Sequence, residues 1–114
     1  MRIRSVLREY EAQLKPTESA AAAAGSARGK AEWKVYRNGT RQCKVWISGL
    51  SLSHGAVLQL AVSGHPFAEL LLRGGRARYR RESERGELVP EVEPKQMLQV
   101  FYAGQIMEGE FYSE

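Results

Sequence analysis

From residue 31 onward, apolar and polar positions alternate with a period of two, the signature of strands with one face toward a core. The alternation predicts strands over about 31–37, 41–48, 56–63, 66–73, 76–83, 97–102 and 105–112. The punctuation between them agrees. Asn38-Gly39 lies between two alternating segments, a strong short-range hairpin signal, and Gly64 to Pro66, Gly74-Gly75 and Ala103-Gly104 mark further tight connections. Segments 48–55 and 86–95 are the longer loops. No stretch between strands is long enough for a crossover helix, so parallel βαβ units are not expected. About seven short antiparallel strands at this spacing predict a mainly β fold, an antiparallel β-sandwich.

Residues 3 to 14 read differently. Ile3, Val6, Leu7, Tyr10 and Leu14 are spaced as one stripe of an amphipathic α-helix, and Pro16 would end it. Residues 17–30, with five consecutive alanines and then Gly25, Ser26 and Gly29, read as a flexible tether. The expected organisation is therefore an N-terminal helix over 1–16, a linker over 17–30 and a β-sandwich domain over 31–114.

Alternation assigns the faces. Trp33 and Val35, Cys43, Val45 and Ile47, Leu58, Leu60 and Val62, Ala68, Leu70 and Leu72, Ala77 and Tyr79, and Leu98 and Val100 point inward. Over 105–112 the pattern is ambiguous, because Ile106 and Tyr112 oppose Met107 and Phe111. Trp46, Val57, Phe67, Leu71 and Phe101 fall on the other face and predict a second apolar surface. Five large apolar residues on a short helix need cover. The stripe Ile3, Val6, Leu7, Tyr10 and Leu14 is therefore expected to dock on the outer face around Trp46, Leu71 and Phe101, in the same chain or in a second copy.

The run NGTRQCKVWISGLSLSHGAVLQLAVSG, with GELVP and the closing GQIMEGEFY, resembles small bacterial β-sandwich domains of unknown function. The likeness covers roughly residues 31 to 112, rests on turn and strand punctuation, and implies a fold without an activity.

Composition narrows the chemistry. All 13 acidic residues are glutamate. The short carboxylates that calcium loops and hydrolytic triads use are missing. One cysteine, Cys43, permits no intramolecular disulfide, and its place between inward positions predicts a buried thiol. His54 and His65 sit at turns, in no ligand spacing, and Ser83 between Glu82 and Glu84 has no adjacent base. No enzyme, cofactor or metal is expected. The opening MRIRSVLREYEAQLKP has no apolar signal core, and no apolar run reaches roughly 18 residues. A cytoplasmic chain without a transmembrane segment is expected.

Charge is unevenly spread within a net of +4. Residues 28–44 hold six cations against Glu32, a net of +5, whereas residues 86–114 hold Lys95 against six glutamates, a net of −5. Between them lies RGGRARYRRESERGE, with Arg76, Arg78 and Arg80 on one face of a strand. Two readings follow. The first is an ordinary solvated strand whose arginines pair with the C-terminal glutamates, in a self-associating protein-interaction or assembly module. The alternative is a nucleic-acid-binding β domain in which the row contacts phosphates; it would want an aromatic platform on the same face. The first is the expectation, with another copy of the chain as partner.

Overall fold

A computed structural model describes residues 5–18 and 26–114. Nine strands occur among them: β1 (Val6–Pro16), β2 (Arg28–Tyr36), β3 (Arg41–Ser48), β4 (Val57–Val62), β5 (His65–Leu71), β6 (Ala77–Glu82), β7 (Met97–Phe101), β8 (Gln105–Glu110) and β9 (Tyr112–Ser113). All pair antiparallel, in the order β5-β4-β7-β8-β1-β2-β3-β6, with β9 on β1. The mainly β, antiparallel class holds. The predicted sandwich takes the form of one sheet rolled nearly into a barrel.

Two devices roll it. β1 is long enough to serve both halves: it pairs β2 from Val6↔Tyr36 to Leu14↔Gly29, then lays Lys15 and Pro16 against Glu108 and Met107 of β8. At the other side β5 and β6, the two ends of the strand order, are consecutive in sequence. Arg73 bridges Arg76 across Gly74-Gly75, with φ of 57° and 76°. That conformation suits residues without a Cβ. Phe67 of β5 and Tyr79 of β6 meet edge-on at 6.3 Å across the remaining seam.

The N-terminal helix is corrected: residues 6–16 are a strand. Tyr10, Ala12 and Leu14 alternate into the core, while Val6 and Leu7 are exposed beside a register shift between Val6 and Arg8. Ile3 lies outside the described residues. A search for large apolar residues overlooks Ala12, which is fully buried opposite the equally buried Ala31. The helix-forming Glu9, Glu11, Gln13 and Lys15 alternate onto the outer face, where pairing with β2 overrides local propensity. The expected linker is also shortened, because Ala27 is buried and β2 starts at Arg28.

Trp33 anchors the interior. It is fully buried, packs edge-on against Phe111 at 5.1 Å and Phe67 at 6.0 Å, and donates its indole N–H to the Pro90 carbonyl at 3.0 Å. Phe67 therefore belongs inside, not on the outer face. It occupies an irregularity where Leu60 pairs Ala68 but Ala61 pairs Pro66, and this turns it inward. The loop after β6 contributes buried Val89 and Val92, held where Arg41 Nε donates to the Val89 carbonyl at 2.9 Å. The ambiguous segment resolves with Ile106, Met107 and Phe111 buried and Tyr112 exposed.

Candidate nucleic-acid interface

On β6, alternation turns Ala77, Tyr79 and Arg81 to one side and Arg78, Arg80 and Glu82, following Arg76, to the other. The neighbouring β3 presents Lys44, Trp46 and Ser48 on that outer face, and β2 presents Arg28, Lys30, Glu32 and Lys34. The register then sets the neighbours. Arg78 stands opposite Trp46, Trp46 opposite Lys30, and Lys30 opposite Gln13 of β1. In the next row Arg80 stands opposite Lys44, and Lys44 opposite Glu32. Adjacent strands lie about 4.8 Å apart and alternate residues about 6.8 Å apart along a strand. Trp46 is thus the centre of a small field of cations.

Ion pairing neutralises two borders of this field. At the β1 side, Lys30 Nζ lies 2.9 Å from Glu11 and 3.5 Å from Glu32, and Lys34 lies 3.6 Å from Glu9. Glu11 is buried, yet its carboxyl is held down at about 2, because it accepts hydrogen bonds first from Glu114, then from Lys30 and Tyr112. The same contact raises Glu114, and Glu11 raises Lys30. At the far end, buried Glu82 accepts from Gln42 at 3.1 Å and lies 3.6 Å from both Arg80 and Arg85.

Between these borders, Arg28, Lys44, Arg76 and Arg78 have no ion pair among the described residues. Within the row, Arg80 pairs with Glu82 of its own strand, while Arg76 and Arg78 meet no C-terminal glutamate of the same chain among the described residues. Glu87 and Glu91 turn instead to Arg81 and Arg41, at 3.6 and 3.4 Å. Lys44 directly across from Arg80 is a like-charge pair, which costs a sheet stability unless something else uses it.

The surface is hollowed on either side of the indole. One depression of about 450 Å³ is lined by Gln13, Arg28, Lys30, Trp46, Arg76 and Arg78, among others. A second of about 400 Å³ is lined by Lys44, Trp46, Arg78, Tyr79, Arg80 and Arg81. Trp46 and Arg78 belong to both. A third, of about 420 Å³, continues from Arg78 and Arg76 to Arg73 and Leu71. The volumes fall in the range of small-ligand sites, about 300–1,000 Å³.

The predicted residues therefore divide. Arg76, Arg78 and Arg80 come together with Trp46, and Leu71 borders Arg76. Phe101 lies on β7, against Gln59 of β4, and is not part of this face. Tyr10 and Leu14 are core residues. Arg28, Lys30 and Lys44 were not singled out from sequence, although the +5 segment 28–44 contains all three; their strand neighbours supply the missing link.

The remaining candidates are dispersed. His54 is exposed in the turn before β4, and His65 is exposed at the first position of β5. Cys43 is buried, and desolvation pushes its thiol up to about 12. Ser83 Oγ accepts the Arg41 amide at 2.7 Å. Among the described residues no group of three His, Cys or Glu side chains could hold a metal ion, and no helix is long and apolar enough to cross a membrane. No protein family, curated protein or solved structure matches the chain.

Proposed function

We propose that this protein is a non-enzymatic nucleic-acid-binding β domain that uses the outer face of β2, β3 and β6. The observation that carries the reading is the register of β3 and β6: Arg78 lies opposite Trp46, and Lys44 lies opposite Arg80. The aromatic side chain shares its surface with Arg28, Lys44, Arg76 and Arg78, which have no ion pair among the described residues. Arginine makes bidentate phosphate contacts, and an aromatic platform beside a basic track is the usual equipment for nucleic acid.

The test is fluorescence anisotropy of a labelled oligonucleotide across a salt series. Four unpaired cations, each displacing counterions from one phosphate, give a log–log slope of about −3 for a single strand. Affinity should then fall about 50-fold between 50 and 200 mM salt. Arg78→Ala should weaken binding and flatten the slope by about one phosphate's share. Absence of binding at low salt, or binding that salt does not weaken, refutes the proposal.

A second reading, self-association, keeps one specific support. The N-terminal helix on which it was expected to rest is a strand. Val57 and Leu71 nonetheless stand opposite each other on the outside of β4 and β5, 52% and 48% exposed. This apolar pair on the outer sheet face suits contact with a second copy.

A further inference from the structure

We infer that the ligand of the basic face is single-stranded nucleic acid, with an unpaired base stacked on Trp46; this rests on the nucleic-acid reading above. The cations alone would serve any phosphate backbone. Trp46 is what selects. It is half-buried at the middle strand of the face, with Lys30 on one side and Arg78 on the other. It forms the divide between the two depressions. A duplex keeps its base faces stacked inside and offers an indole in this position a sugar-phosphate edge. An unpaired strand can splay its bases and lay one against the ring while its phosphates meet Arg76, Arg78 and Lys44. Stacking of this kind tolerates any base, because every base has a π face.

Two features of the face fit that role. Trp46 has no aromatic partner among the described ring contacts, whereas Trp33 is fully enclosed by Phe67 and Phe111. The indole also lies within a sheet surface, and not on a helix or a projecting ribbon of the sort a major groove admits. The face is suited to carrying a strand over a platform and poorly suited to reading a groove.

The experiment compares oligo(dT) and oligo(rU) of about twelve nucleotides, within the site sizes of sheet-based single-strand binders, with a duplex of the same length. Binding is followed by anisotropy and by tryptophan fluorescence. Trp33 is sealed in the core, so quenching on binding should come from Trp46 and disappear in Trp46→Phe. Either single strand should bind at least about tenfold more tightly than duplex. Trp46→Ala should weaken single-strand binding by about 5- to 150-fold, the loss of one stacked base. It should leave the salt slope unchanged, and Trp46→Phe should recover part of the affinity. Native unfolding transitions for both variants guard against a folding defect, and wild-type quenching provides a readout independent of either variant. Equal affinity for duplex, no quenching, or a Trp46→Ala effect below twofold overturns this inference while leaving a salt-dependent basic interface in place. Equal affinity and quenching with a sulfated polysaccharide also overturns it. Failure of every nucleic acid to bind at low salt overturns the interface reading itself.

Discussion

The strand assignment of residues 6–16 makes a prediction that separates it sharply from a helix. As a helix, Leu7 lies on the apolar stripe and Ala12 lies off it. As β1, Ala12 is fully enclosed and faces Ala31 across the ladder, while Leu7 is 46% exposed. Two substitutions exchange the expected penalties. Ala12→Leu forces three extra carbons between β1 and the core where two alanines already meet, at a cost of about 1–3 kcal/mol for overpacking. Leu7→Ser forfeits about half the 1.5–3 kcal/mol that full burial of a leucine contributes, and less where the chain can adjust, so about 1 kcal/mol or below. In urea, with a slope of about 2 kcal/mol per molar, the first variant should move the unfolding midpoint by about 1 M and the second by under about 0.5 M. Equilibrium unfolding followed by the fluorescence of buried Trp33 provides the assay. A larger midpoint shift for Leu7→Ser than for Ala12→Leu would falsify the strand.

The other consequences are quicker to state. Because Glu11 titrates at about 2 in the fold against 4.5 ordinarily, its stabilising contribution is complete above about pH 4.5 and is lost as pH falls toward 2. The melting temperature of Glu11→Gln should therefore lie below that of the wild type at pH 6 and converge with it near pH 2; a gap that persists there refutes the pairing with Glu114 and Lys30. If the apolar pair on β4 and β5 seats a second copy, sedimentation should give a dimer for the wild type and a monomer for Leu71→Glu, and a monomeric wild type at high concentration removes that reading.

Much of the barrel was legible because its strands bury alternate residues. Cys43, Val45 and Ile47 on β3, or Leu98 and Val100 on β7, repeat at period two, and their faces follow without knowledge of any partner. Legibility failed where the burial pattern rested on small residues or on backbone irregularity. Ala12 and Ala31 occupy the wall where strands approach closely, and a count of large apolar residues passes over them. The irregularity opposite Leu60 and Ala61 shifts Phe67 by one face, as any single-residue slip in a strand does. Val89 and Val92 pack from a loop that has no period at all.

The site failed to be legible for a different reason. Arg76, Arg78 and Arg80 were visible as one face of one strand, and Trp46 was visible as an outward residue of another. Whether they meet depends on which strands are neighbours. Sequence order alone would suggest β3 beside β4, carrying Trp46 away from the arginines. The observed order β2-β3-β6 instead routes the chain through β4 and β5 on the opposite part of the barrel and brings β6 back beside β3. That return converts a charge run on one strand into a two-dimensional field with an aromatic centre. It also explains the unequal use of charge. The cations at the borders of the field are held by Glu9, Glu11, Glu32 and Glu82, which sit on the same strands or their immediate neighbours. Of the acidic C-terminal segment, Glu114 reaches Glu11 at the β1 border through β9, whereas Glu87 and Glu91 turn to Arg81 and Arg41. Lysine stands opposite Arg80, whose guanidinium lies 3.6 Å from Glu82 on its own strand; on the proposed reading, a bound polyanion would offset that like-charge pair.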